Sequence, residues 1–394
     1  MGLPLADIRV VDFSSHLAGP FTAMLMADQG ADVIKVEPPE GDHSRTLVPI
    51  PGTKDLSLGY LTFNRNKRGM VLDLTKPGSR ELAYRLVHWA DVLVINLRLD
   101  SRRKHGLTYE DTAPLNPRLV YASLTAYGEV GPDAALPGVD VAIQPRVGDL
   151  DVRRPPNGPP PASSVLTHFD MAAASFTFTA VLLALRERDR TGFGQKVEVN
   201  LLQTALALQA KQMTAVVGLE LAYGHKQSSL SANHLCSDGR YLYAPIGAAR
   251  WDSYCRAIRL DHLIQDPRFD TPEKRSQNAQ QLGDILSRHL ATRPAVEWES
   301  RIKPSGHYVT VIRSFSEVFD DPQVVANDMI TQYRQPGLGQ VKVINVPFKL
   351  SGTEGQPRFL RHAPTKGEHT DEVLRELGCS PEEVQALRGE GAVA

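Results

Sequence analysis

Over the first hundred residues, short runs of β-branched and aliphatic residues alternate with stretches whose apolar positions recur at helical spacing. That alternation is the signature of βαβ units around a parallel sheet. It predicts strands over Ile8 to Phe13, Asp32 to Glu37, Val71 to Leu74, Val92 to Asn96 and Leu119 to Leu124, and helices over Phe21 to Asp28 and Pro77 to Ala90. Ser14 and Ser15 are placed to cap the first helix, Pro20 suits its first turn, and Gly30 stops it. The N-terminal third therefore has a Rossmann-like layout.

From Arg153 to Pro161 the run RRPPNGPPP excludes helix and central strand, because proline fixes φ and removes a backbone donor. It leads into Met171 to Arg190, apolar on most faces and closed by the turn Thr191 to Gly194, which predicts a buried helix. Lys196 to Asn200 alternates as a strand, and Leu201 to Gly218 returns to a helical pattern. From 219 to 330 the texture is more polar, with a strand over Arg240 to Ala244 and helices over Trp251 to Arg259 and Gln277 to Leu290, a candidate second and smaller domain. The last segment carries a strand over Val341 to Val346 and a helix from Thr370 or Asp371 to Leu377, ended by Gly378.

Composition narrows the function classes. The chain has 394 residues, 44 Lys+Arg against 45 Asp+Glu, and a formal net charge of −1. That balance gives no electrostatic footprint for the phosphates of DNA or RNA, so no nucleic-acid partner is expected. No run approaches the ~20 uninterrupted apolar residues of a membrane span, and the opening MGLPLADIRVVDF lacks a secretory pattern, so a cytoplasmic protein without membrane association is expected. Cys236, Cys255 and Cys379 are too scattered for a disulfide framework or thiolate zinc site. Twelve histidines without a helical i, i+4 pair beside a carboxylate add no metal centre.

Signatures of several large enzyme classes are missing: GxxxxGK[ST], GxSxG, HExxH, and GxGxxG between a strand and a helix. Gly192-Phe193-Gly194 and Gly337-Leu338-Gly339 read as turns. The residue that stands out is Asp170, between the proline-rich loop and the Ala-rich helix. Locally it reads as an N-cap, an arrangement worth ~1 kcal/mol. The small residues Ala172 to Ala174 also leave room for other groups to approach the carboxylate, and the helix dipole favours the ionised form that a nucleophile requires. Two basic clusters, Asn64 to Arg68 and Arg98, Arg102, Arg103 and Lys104, lie at predicted strand ends, where they are either solvated charges or receptors for anionic groups.

Matches in order along the chain are Val10–Pro20 (VVDFSSHLAGP), Gly30–Asp42 (GADVIKVEPPEGD), Phe63–Arg68 (FNRNKR), Leu72–Leu74 (LDL), Ala90–Asn96 (ADVLVIN), Asn116–Arg118 (NPR), Thr191–Val197 (TGFGQKV) and Gly367–Thr370 (GEHT). From Leu5 to about Leu387 the chain resembles the family III CoA-transferases, the formyl-CoA-transferase and carnitine-dehydratase-like group. The resemblance implies an α/β fold: a Rossmann-like large domain with a parallel sheet, built from both chain ends (1–218 and 331–394), a smaller α/β domain at 219–330, and an interlocked homodimer. It implies acyl-CoA:carboxylate CoA transfer, with Asp170 on the catalytic aspartate and CoA bound by His16, Leu17, Ala18, Leu72, Thr75, Asn96, Leu97, Arg98 and Lys104. Coenzyme A enters as substrate, carried by an acyl-CoA donor and passed to a carboxylic acid acceptor, without a metal.

Two rival functions share this resemblance. An α-methylacyl-CoA racemase pairs its aspartate with a histidine where this chain has Val139, in Pro137-Gly138-Val139-Asp140, and proton transfer needs both an acid and a base. A catalytically idle acyl-CoA-binding homodimer would fit the altered loop Leu97 to Asp100, which lacks the family's glycine and proline.

Overall fold

A computed structural model of the chain describes residues 2–53, 55–155, 158–218, 232–246, 250–353 and 361–394. The first unit, Met1–Leu221 with Met329–Ala394, opens with β1 (Arg9–Asp12), α1 (Ala18–Asp28), β2 (Asp32–Glu37), α2 (Leu58–Asn64), β3 (Arg68–Val71), α3 (Ser79–Trp89), β4 (Val92–Ile95), α4 (Leu99–His105), α5 (Tyr109–Thr112) and β5 (Val120–Thr125). It continues through α6 (Asp140–Arg146), α7 (Asp149–Val152), α8 (His168–Thr191), β6 (Lys196–Asn200), α9 (Leu201–Leu208) and α10 (Ala210–Met213). The strands form one parallel sheet in the order β3-β2-β1-β4-β5-β6.

Strand alternation sends side chains to two cores. Val10, Val33, Val94, Ala122 and Val197 join α1, α8 and α9 on one face, whereas Val11, Ile34, Met70, Leu93 and Tyr121 join α3 on the other. The second core also takes Val373, Leu374 and Val393 from the chain's C-terminal end, where α17 (Thr370–Glu376) and α18 (Pro381–Gly389) lie.

The second unit, Ala222–Asp328, holds a three-stranded antiparallel sheet of β7 (Asn233–Leu235), β8 (Tyr241–Tyr243) and β9 (Thr310–Val311), with α11 (Trp251–Ile258), α12 (Pro272–Gln277), α13 (Ala279–Leu290), α14 (Ala295–Ile302), α15 (Phe315–Val318) and α16 (Pro322–Ala326). Its core is built around the fully buried Trp298, Tyr254 and Phe269. A hairpin of β10 (Ile330–Gln335) and β11 (Gly339–Ile344) belongs to the first unit and turns through Gly337, at φ 77°.

Several expected boundaries move. The third strand lies at Arg68–Val71 and not at 71–74, because Arg68 to Val71 pair with Ile34 to Glu37. The first helix starts at Ala18, and neither Ser14 nor Ser15 caps it: the Ser14 amide donates to Asp12 Oδ1 (2.9 Å) and the Ser15 amide to Asn96 Oδ1 (2.8 Å). The segment 201–218 forms two short helices that end at Met213, and 277–290 is divided at Asn278. Strand β10 and helix α18 were not among the expected elements, although Ser380 to Glu383 (SPEE) carries a capping-box signal for α18. Of the proline-rich loop, residues 156 and 157 lie outside the described residues, as do 219–231 and 247–249 of the second-domain expectation.

Among the described helices, α8 alone is long and apolar enough to cross a membrane, and half of that window is buried. It is a crossover helix of this sheet. Its last turn is held by Arg188 to Asp91 (2.9 Å), and Gly194 donates to Pro117 (2.9 Å), both before the strands they precede, so α8 begins at the sheet's C-terminal edge.

Candidate functional site

The strand order reverses between β1 and β4, and in open α/β sheets ligands bind outside the carboxyl ends of strands at that switch point. His16, Leu17 and Ala18 follow β1, and Asn96, Leu97 and Arg98 follow β4, so the topology sets these two groups side by side. Asn96 ties them together: its Oδ1 accepts from the Ser15 amide (2.8 Å) and its Nδ2 donates to the Ser15 carbonyl (2.7 Å). Gly19 permits the tight approach, since a Cβ there would lie 2.2 Å from Ser14 Cβ.

His16 adopts a left-handed backbone, φ 74°, unusual for a non-glycine residue and characteristic of functional turns. Its amide donates to Asp42 Oδ1 (3.2 Å) and its ring stacks on His43, centroids 5.3 Å apart. Burial and the adjacent His43 push its pKa down. Leu72 and Thr75 follow β3, two strands from β1; Leu72 is buried, whereas Thr75 is exposed and bonds Asp73. Arg98 and Lys104 are exposed, Lys104 in the last turn of α4.

Of the other cations of the two basic clusters, Lys67, Arg65, Arg68 and Arg102 are buried in ion pairs or hydrogen bonds, and Arg103 is exposed. Lys67 is fully buried and donates to Asp12 Oδ2 (2.8 Å), Pro20 O (2.9 Å) and Asn64 Oδ1 (2.9 Å). Arg65 pairs with Asp28 (2.7 Å) and Arg68 with Asp32 (2.6 Å). Arg102, 1% exposed, donates to Leu97 O, Ser123 Oγ, Glu129 Oε1 and Leu124 O, and Arg103 pairs with Asp100 (3.2 Å).

Asp170 is the third residue of α8, not its N-cap; that position is Thr167, a β-branched residue at φ 48° without a side-chain cap. The cap comes from another helix. Asp140 Oδ2 accepts from the amides of Phe169 (2.6 Å) and Asp170 (3.0 Å), satisfying two of the free donors of α8. Asp140 Oδ1 is held by Gln144 Nε2 (2.6 Å), and Gln144 also grips the backbone of Ser164 through Nε2 (2.8 Å) and Oε1 (2.6 Å).

Asp170 is buried, and burial with the nearby Asp140 charge raises its pKa to about 7, so the dipole does not keep it ionised as its position suggested. It belongs to the same sheet edge as the β1–α1 turn. The Thr22 hydroxyl lies within bonding distance of both Ala18 O (3.0 Å) and Ala174 O (3.2 Å), joining the second turns of α1 and α8. Asp140 was named in the sequence only as part of a motif; its contact is 30 residues away and carries no local signal.

Residues 5–370 match the family model described as CoA-transferase family III. The chain belongs to CoA-transferase family III. Within that family it is 31% identical to a succinate–glutarate CoA-transferase of Agrobacterium fabrum, covering 95% of this chain and 96% of the relative. It is 30% identical to a probable fatty acyl-CoA transferase of Mycobacterium tuberculosis, covering 93% and 96%. Among solved structures, a CAIB/BAIF family protein from Brucella suis superposes with a TM-score of 0.84 at 29% identity, over 96% of this chain and 100% of that one. This family III chain thus carries a buried carboxyl and a clamped β1–α1 turn on one sheet edge.

Proposed function

We propose that the protein is an acyl-CoA:carboxylate CoA-transferase with Asp170 as its covalent nucleophile. The observation that carries this reading is a buried carboxyl on the first turn of α8, a helix bonded to α1 through Thr22 and Ala174, with a pKa raised to about 7. Burial and a like-charged neighbour are the means by which a carboxyl is poised near neutrality for chemistry.

In its ionised form Asp170 attacks the donor thioester carbonyl, giving a mixed anhydride and CoA thiolate. The thiolate attacks the Asp170 carbonyl of that anhydride, forming an aspartyl-CoA thioester and releasing the donor acid. The acceptor carboxylate then displaces the thiolate, and the thiolate attacks the acceptor carbonyl of the second anhydride, yielding the new acyl-CoA and free Asp170. CoA stays bound throughout, held in this proposal by His16, Leu17, Ala18, Leu72, Thr75, Asn96, Leu97, Arg98 and Lys104. Arg98 and Lys104, both exposed and, among the described residues, without a competing carboxylate such as the one Arg103 has in Asp100, would meet its phosphates. The names of the relatives, which include succinate–glutarate and acetyl-CoA:oxalate CoA-transferases, support an acid acceptor. Position 139 holds valine, so the second acid–base group of a racemase is missing there.

Incubation with a panel of acyl-CoA donors followed by hydroxylamine should convert Asp170 to a hydroxamate detectable by mass spectrometry. Asp170→Ala should abolish transfer while CoA still binds by calorimetry; retained turnover sinks the assignment. Because the nucleophile is the carboxylate, kcat/KM for the donor should rise tenfold per pH unit below about 7 and level off above it. A flat profile from pH 5 to 8 contradicts the mechanism. We also propose a homodimer, supported by the exposed apolar residues Phe176, Leu183, Leu208, Met213 and Val217 along 176–217; light scattering at the monomer mass rejects it.

A further inference from the structure

We propose that Asp140 is a positioning residue for the reaction: its carboxylate caps α8 from outside, fixes the direction in which Asp170 is presented, and sets a negative charge against it. This rests on reading Asp170 as the nucleophile. The geometry separates Asp140 from an ordinary capping residue in three ways. Asp140 is 1% exposed, so its charge is little screened. It binds the amide of Asp170 itself, and so acts on the backbone that carries the reacting group. It is also held from behind, because Gln144 donates to its other oxygen while bonding both sides of Ser164, which locks α6 to the strand of chain entering α8.

Thr167 sharpens the argument. Its left-handed backbone and lack of a side-chain cap leave the α8 terminus without a local solution, so the corner depends on the distant carboxylate. Other titratable groups on elements packed against α8 are engaged elsewhere or exposed. Asp28 of α1 is bound by Arg65, Lys196 and Glu198 of β6 pair with each other (3.7 Å), and Arg146 of α6 pairs with Asp133. Tyr121 of β5 donates to Leu107 O, and His168 is exposed on the helix's own first turn. Asp140 is the charged neighbour that acts on Asp170.

Asp140→Asn keeps an acceptor oxygen for the two amides but removes the charge. Its acid limb in the pH profile of donor kcat/KM should move down by about one pH unit, as expected when a like-charged neighbour is neutralised. A purely structural role predicts loss of thermal stability with an unmoved limb, and that result overturns the proposal. Gln144→Met retains the charge and removes one of its supports. It should lower kcat about tenfold with KM unchanged and the acid limb in place, and an unchanged kcat also overturns the positioning role. Carbon-13 NMR of the Asp170 carboxyl, assigned by its loss in Asp170→Asn, reads the same titration in free enzyme. If Asp170 titrates lower in Asp140→Asn while the wild type turns over no donor, the transferase reading fails and the positioning role falls with it; if transfer proceeds and the titration is unmoved, this inference fails alone.

Discussion

The ionised form of Asp170, the proposed nucleophile, opposes folding. Its folded-state pKa of about 7 lies above the ordinary carboxyl value of 3.8, because burial and Asp140 oppose its charge. A raised value means that the folded protein holds the proton more tightly than the unfolded chain, so this contribution to stability is full below about pH 4 and is lost as pH rises through 7. Asp170→Asn, which carries no charge at any pH, should therefore be more stable than the wild type at pH 8, by about 4 kcal/mol, and equal to it near pH 4. Urea denaturation at the two pH values measures this, and a wild type that is the more stable at pH 8 contradicts it. Sequence showed that Asp170 begins a helix but not which groups surround it. Capping propensity is local, whereas the carboxylate that fills the capping role is Asp140, contributed by α6.

At the scale of the element, the β1–α1 turn stands on an ion network that composition could not reveal. Lys35, on β2, pairs with Asp42 (2.7 Å) and donates to the Ser14 carbonyl, and all three residues are buried. Burial opposes the Asp42 charge, yet Lys35 and the Ser44 donors outweigh it and hold its pKa at about 2. The cluster Asn64 to Arg68 was legible as basic but not as buried, since its partners Asp12, Asp28 and Asp32 are 36 to 55 residues away and become neighbours only when the sheet forms. The strands themselves were legible because parallel strands buried on both faces are continuous apolar runs. The Asn96 clamp makes the turn testable without touching that network. Asn96→Ala removes two hydrogen bonds to Ser15, each worth about 1 kcal/mol. CoA affinity measured by calorimetry should fall about tenfold, and in Asn96→Asp, which sets a carboxylate oxygen against the Ser15 carbonyl and a negative charge beside the CoA phosphates, it should fall at least as far. An Asn96→Ala dissociation constant equal to that of the wild type removes this turn from the CoA site.

At the scale of the molecule, the first unit is assembled from both ends of the chain, and Arg68 at the edge strand β3 is where the ends meet. Its guanidinium binds Asp32 (2.6 Å) within the sheet and Glu376 (2.6 Å) and Glu372 (3.1 Å) on α17, while Trp89 donates to Glu376 (2.7 Å). Behind these contacts Val373 and Leu374 enter the core beneath α3, and the Asp73 amide donates to Ala392 O (2.8 Å). A planar fork with five fixed donors spans three carboxylates over a wider reach than the compact three-donor ammonium of lysine. Arg68→Ala leaves Asp32, Glu372 and Glu376 gathered without a cation, but all three are more than a third exposed, so water screens much of their repulsion. The expected loss is roughly 2 kcal/mol of unfolding free energy, with Arg68→Lys intermediate. The loss should shrink in 1 M salt, where charges a few ångströms apart are screened. Limited proteolysis should show faster cleavage in 365–380 of Arg68→Ala, before the parallel sheet is cut. Cleavage at the wild-type rate with unchanged unfolding would mean that the apolar contacts of Val373 and Leu374 dock the C-terminal segment alone.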